Sequence, residues 1–404
     1  MKAFIFFFDF LKIYDRINIV SKGEFFNMKK QYLSLKNILL LLGMGISLNG
    51  CQKETNEVEN LVINEVESKE SFLNKNLATN TINQMLEEAK KLVPEIEVKD
   101  ITISAIGDCT LGTDTHFGYE NSFTNVLDNN NRDFSYFFKG VYDILSKDDL
   151  TIANLETPFT DASEEYRVEK TFNFKGDAEY TNILSDGSIE VVNLANNHTY
   201  DYGEKGYNDT INILENTSIP YFGYENYSIL EVEDMKIGLA GFTGWNEDVT
   251  KENTEKAIEY FQNNNADLII MTYHWGIERE YKQNEIQESI ARHAIDSGAD
   301  LVLGHHPHVL QGIESYNGKY IVYSLGNFVF GGNRNPNDKD TMIFQETFHY
   351  ENGVLKDTSI KIIPCSLSSR TDLNDYQPKI LDGEEHKRVL KKVLDSSTNL
   401  EYTE

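Results

Sequence analysis

Apolar runs of strand length recur at 101–106, 150–154, 191–194, 237–242, 268–273, 301–303 and 320–325. Amphipathic segments lie between several of them, the clearest carrying Ile286, Ile290, Ala294 and Ile295 and closed by Gly298 at a C-cap position. Short apolar strands alternating with helical periods call for a layered α/β domain. After Asn327 the pattern turns strand-rich. Runs at 342–350 and 354–363 flank Glu351-Asn352-Gly353, a hairpin turn, and a last helix is expected over 384–394. The chain shows no internal repeat.

Five of these runs end in groups that resist burial unless something binds them. They finish in Gly107-Asp108, Asn154-Leu155-Glu156, Asn197-His198, His274-Trp275-Gly276-Ile277-Glu278 and Gly304-His305-His306-Pro307-His308. In an α/β sheet the C-terminal strand edge is where side chains from separate strands meet and sites form. Carboxylates, an amide oxygen and imidazoles make a mixed N/O set suited to one or two divalent ions, Mn, Zn or Fe, and no thiolate-rich motif competes. Five of the nine histidines fall inside these segments, which favours a metal site over scattered surface histidines. Taken singly, each segment has a plainer reading. Asp108 can be a turn residue or cap, Glu156 before Thr157-Pro158 a strand exit, and Asn197 a turn former. His198 can be a satisfied core histidine and His274-Trp275 an aromatic edge pair.

The formal charge of −28 argues against a nucleic-acid partner, because phosphate binding needs clustered Lys and Arg. The N-terminal region reads as a leader. Lys29, Lys30 and Lys36 precede an apolar stretch over 38–46, and Leu48-Asn49-Gly50-Cys51 closes it. This resembles a bacterial lipoprotein signal over 28–50 with Cys51 as lipid acceptor, the alternative being an uncleaved membrane anchor. Either way the body is expected outside the cytoplasm, attached to the membrane. Residues 1–27 are expected to be an untranslated extension, since Lys22-Gly23-Glu24 can be encoded by a ribosome-binding-site-like stretch just before Met28. Residues 51–79 are rich in Glu, Asn, Ser and Lys and read as a flexible tether. Helical spacing follows over 80–93, and the folded domain is expected over 80–404 with its core at 100–365. No disulfide framework is expected from Cys109 and Cys365.

The motifs together resemble a known family. Gly107-Asp108, Asn154-Leu155-Glu156, Phe172-Asn173-Phe174-Lys175, Asn193 to His198 with Asp201-Tyr202-Gly203, His274-Trp275-Gly276 with Glu278, Gly304 to Gln311 and Ser324 to Phe328 are similar to the ordered motifs of the bacterial capsule synthesis protein CapA family, associated with poly-γ-glutamate. That family is similar in turn to calcineurin-like metallophosphoesterases. The resemblance implies a four-layer αββα sandwich with a two-metal centre. It implies Asp108, Glu156 as bridge, Asn197, His274, His306 and His308 as metal ligands, with His198 as proton donor and Asp201 orienting it. Phosphoesterases usually begin Asp-x-His, whereas this chain reads Asp108-Cys109-Thr110, so one ligand of the first metal is missing or replaced.

Two functional readings follow. In the first, a lipid-anchored factor acts with membrane-bound polyglutamate synthesis or export subunits on the anionic polymer; Lys175 or a bound cation would have to offset the acidic body's repulsion. In the second, a metal-dependent hydrolase cleaves a phosphoester or an amide of an envelope polymer. A plainer third is a scaffold whose polar strand ends bind carbohydrate or a structural ion. Trp275 and Tyr273 at a cleft edge would suit stacking on substrate, although core packing is the more frequent use of such aromatics, and Glu278 and Asn327 are further candidate substrate contacts.

Overall fold

Side chains alternate faces along a strand, and that alternation sorts this chain into layers. The computed structural model describes residues 97–404. The expectations placed on residues 1–96 (extension, leader, lipidation at Cys51, tether and first helix) lie outside the described residues. No described helix is long and apolar enough to cross a membrane.

Along the chain run β1 (Val98–Thr110), β2 (Thr113–Asp114), β3 (Leu150–Leu155), β4 (Phe174–Lys175), β5 (Val191–Asn193), β6 (Tyr221–Phe222), β7 (Ser228–Val232) and β8 (Met235–Thr243). They continue as β9 (Leu268–His274), β10 (Leu301–His305), β11 (Ile313–Tyr316), β12 (Lys319–Val322), β13 (Asn327–Phe330), β14 (Asp340–Glu351), β15 (Val354–Ser366) and β16 (Lys379–Ile380). The helices are α1 (Phe123–Asn129), α2 (Tyr142–Leu145), α3 (Thr181–Asp186), α4 (Gly203–Asn216), α5 (Glu247–Asn263), α6 (Glu285–Ser297) and α7 (Gly383–Ser396).

One sheet has the order β16-β15-β14-β1-β3-β5-β6, with β13 parallel beside the end of β1. The other has the order β11-β12-β10-β9-β8-β7. Their centres are parallel, as αβ crossovers require, and antiparallel strands flank them. Ile101, Ile103, Leu150, Ile152 and Val191 of the first sheet meet Ile237, Leu239, Leu268, Ile270, Leu301 and Leu303 of the second in one core. The opposite faces carry Ala153, Leu155 and Val192 under α1, α3 and α4, and Ala240, Met271, Tyr273 and Val302 under α5 and α6. The result is the four-layer αββα sandwich that the resemblance implied.

Local details follow the sequence chemistry. Helix α6 starts with an Asn284–Gln287 capping box and ends at Gly298, whose φ of 122° a side chain would resist. The β14–β15 hairpin closes through Asn352 and Gly353, with φ of 51° and 71°, the paired positive values of a type I′ turn. Cys109 and Cys365 are both free and buried.

One core position breaks the pattern. On β14, Met342, Phe344, Phe348 and Tyr350 face the inter-sheet core, and Glu346 shares their parity, register-paired with Ile103 and Ile360. It is fully buried, and neither carboxylate oxygen has a hydrogen-bond partner among the described residues. Burial pushes this carboxyl up to about 8, with Thr358 and Lys319 offsetting only part of the cost. A folded-state value above the unfolded one makes its contribution most favourable below about pH 4.5 and progressively worse up to about pH 8. Over that window, wild-type stability should therefore fall relative to Glu346→Gln by several kcal/mol, on the order of 4. Denaturant midpoints measured at pH 5 and pH 9 check this, and parallel pH profiles for the two proteins would refute it.

Candidate metal centre

Parity and one irregularity bring the strand ends to a common point between the sheets. On β3, Leu150 and Ile152 face the inter-sheet core, so Asn154 and then Glu156 follow on that side. On β9, Leu268 and Ile270 place His274 there, and on β10, Leu301 and Leu303 do the same for His305. Strand β1 needs a correction. Ile101, Ile103 and Ala105 face inward, so strict alternation would turn Asp108 outward. A register shift between Ala105 and Asp108 reverses the parity: Cys109 and Leu111 enter the outer core, and Asp108 and Thr110 turn toward the second sheet. Gly107 makes this possible, because a Cβ there would lie 2.1 Å from the Gly326 carbonyl oxygen.

The imidazoles converge on two carboxylates. Ligand atoms of Glu156, His274 and His306 lie within 4.8 Å of one another, as do those of Asp108, Glu156 and His308, and those of Glu278, His306 and His308. Asp108 stands 3.3 Å from His305 Nδ1 and 3.2 Å from His308 Nδ1, and accepts from Asn154 Nδ2 at 2.8 Å. His274 Nε2 lies 2.7 Å from Asn197 Oδ1 and 3.4 Å from Glu156 Oε1. The loop carrying His306 and His308 is strained, with φ of 97° and 57°. Asn327 lies opposite Asp108 in the β1–β13 register and meets His308 Nδ1 at 2.8 Å, so it orients that ring.

Beside this group, His198 Nδ1 donates to Asp201 Oδ2 at 2.7 Å, leaving Nε2 without a hydrogen-bond partner among the described residues. Phe174 N donates to the same Asp201 oxygen at 2.6 Å, and Asn173 Nδ2 donates to the Asp201 carbonyl at 3.0 Å. Asn196 donates to the Leu155 carbonyl at 2.8 Å and accepts from His198 N at 3.0 Å, which turns Asn197 toward His274.

The orphaned atoms mark a candidate cation pocket. Glu156 Oε1, both His305 ring nitrogens and His306 Nδ1 are buried without hydrogen-bond partners among the described residues, a cost that divalent cations would relieve. The residues therefore fit a metal. Burial and the nearby Asp108 charge hold the Glu156 carboxyl well above its usual range. Burial also acts on Asp108, but the close His305 and His308 imidazoles outweigh it and hold the carboxyl well below that range. Burial, then His306, depresses His274, and burial, then His308, lowers His306 to about 4. Both rings are thus neutral at pH 7, the form that binds metal. Burial opposes the charge on His308, yet Glu156 and Asp108 raise it to about 10. Loading an ion there must displace that proton. Burial pushes the Cys109 thiol up to about 12, so no thiolate takes part.

Of the residues singled out in the sequence, Asp108, Glu156, Asn197, His198, Asp201, His274, His306, His308 and Asn327 gather here, with Glu278 exposed at the rim. Three do not take the substrate roles considered for them. Trp275 is fully buried on the helix side of β9, stacked on Tyr273 at 4.9 Å with its indole donating to the Tyr323 carbonyl, so neither ring stands at a cleft edge. Lys175 spends its ammonium on the Ala162 carbonyl at 2.9 Å and the Tyr202 ring. The lysine at the site is Lys170, 2.7 Å from Asp201 Oδ1 and 2.8 Å from the Asn197 carbonyl. His305 and Trp245 were also missed. Trp245 is 49% exposed and packs perpendicular to His306 with centroids 4.8 Å apart. The alternation of β10 signals His305, whereas no periodicity signals the two loop residues, Lys170 and Trp245.

The chain is 30% identical over 269 residues to the capsule biosynthesis protein CapA of Bacillus anthracis, covering 60% of this chain and 63% of that one. It is 35% identical over 217 residues to the PGA biosynthesis protein CapA of Bacillus subtilis (strain 168), covering 48% and 56%. The chain thus spans about six-tenths of the length of these curated relatives. Residues 102–332, which include every strand end at the metal centre, match the family described as bacterial capsule synthesis protein PGA_cap, and the chain belongs to that family.

Proposed function

We propose that this protein serves capsule or poly-γ-glutamate synthesis from the extracytoplasmic face of the cell membrane, lipid-anchored through Cys51, and that its metal centre does hydrolytic work there. The relatives' names support the capsule or polymer role, and the leader-like sequence ending at Cys51 supports the anchor. The observation that carries the hydrolytic part is Glu156, shared by the Glu156–His274–His306 and Asp108–Glu156–His308 clusters, as a carboxylate bridging two ions would be. Divalent cations bound there would supply Lewis acidity and stabilise negative charge developing on a phosphoester or amide. The chain's own groups do the rest. In its imidazolium form, which burial disfavours and Asp201 supports through Nδ1, His198 would give its Nε2 proton to the leaving group, and Lys170, Asn173 and Phe174 hold Asp201. Membrane-bound synthesis or export subunits are the expected partners.

A deletion strain tests both parts together. Surface polymer should disappear on deletion, return with the wild-type gene, and stay low with His198→Ala. Unchanged polymer on deletion overturns the capsule role. Full restoration by His198→Ala leaves that role standing and removes the hydrolytic one.

A further inference from the structure

We propose that Trp245 is a substrate platform and that the metal centre takes a ring joined directly to an oxyanion, such as a sugar or aryl phosphate, in preference to a linear polyanion. This rests on the metal-centre reading above. Trp245 follows β8 at the C-terminal strand edge, with its ring perpendicular to both His306, at 4.8 Å, and His274, at 6.2 Å. About half of it faces solvent, so part of the ring is open beside the imidazoles. The same theme recurs beside His198. Phe174 lies 4.4 Å from that imidazole, and Phe172, 48% exposed, is stacked parallel on Phe174. Imidazoles from both sheets thus carry an aromatic group that continues outward to solvent. An indole face recognises a flat or ring-shaped group by stacking and C–H contact, and the adjacent ligand set recognises the oxyanion. The acidic rim residue Glu278, beside His306 and His308 on a chain of net charge −28, works against a run of carboxylates.

The test uses zinc-loaded full-length protein and calorimetric titration with non-hydrolysable probes. These are phenylphosphonate, a glucosyl phosphonate, ethylphosphonate and a γ-linked triglutamate. At least one ring-bearing phosphonate should bind about tenfold more tightly than ethylphosphonate. Phenyl preference assigns an aromatic ring and glucosyl preference a sugar. Trp245→Leu should abolish that margin while keeping zinc content and ethylphosphonate affinity, and Trp245→Phe should keep part of it. The chain contains only two tryptophans and Trp275 is buried, so ring-bearing probes should also shift the emission of Trp245. Equal affinity for all three phosphonates on loaded protein, or tightest binding of triglutamate, overturns the platform and leaves the metal centre intact. A protein that takes up no zinc overturns the metal reading and the subsite with it.

Discussion

Glu156→Gln protein should lose divalent-metal affinity by about 100-fold or more, since even residues that only support a ligand are worth 10–100-fold and Glu156 belongs to two of the three-ligand groups. Stability gives a second readout with the opposite sign. Without metal, Glu156 is a buried carboxyl held well above its usual range by burial and Asp108, so at pH 7 it costs the fold energy. The metal-free variant should be at least as stable as metal-free wild type. Metal at about 100 times the wild-type Kd should then add about 2.7 kcal/mol to the wild type, visible as a rise of several degrees in Tm, and about 0.4 kcal/mol or less to the variant. Elemental analysis after dialysis and paired melting curves read both effects. An unchanged metal-dependent rise would exclude Glu156 from coordination.

His198→Ala should behave in the complementary way. A positioned proton donor contributes about 10²–10⁴-fold to a rate, so turnover of an aryl phosphodiester in Mn or Zn should fall by that factor while metal content stays at the wild-type level. His198 reaches Asp201 and Phe174 in the structure but belongs to none of the three ligand groups. Equal rates in the two proteins would remove it from the mechanism. A parallel loss of metal would make it a ligand instead.

Much of the site was legible in the residues themselves, and one error was avoidable. Leu268, Ile270, Thr272 and His274 share a face of β9, so strict alternation already assigns Tyr273 and Trp275 to the helix side, where they are found. The same count along Leu301, Leu303 and His305 points His305 at Asp108. The Phe172 to Lys175 motif contributes through Asn173 and the Phe174 backbone rather than through its lysine. Lys170 and Trp245 lie in loops, where no period connects a residue to a face.

The alternating apolar runs determined the α/β layering, the order of the central strands along the chain and the kinds of groups offered at their ends, because burial periodicity and ligand chemistry are local properties. Which groups meet was decided by the tertiary structure. The β1 bulge turns Asp108 inward, the close approach of Gly107 to Gly326 sets its depth, and the facing of two separate sheets brings His274 and His306 to Glu156. Those are contacts between residues more than a hundred positions apart, and no local pattern encodes the distance between them.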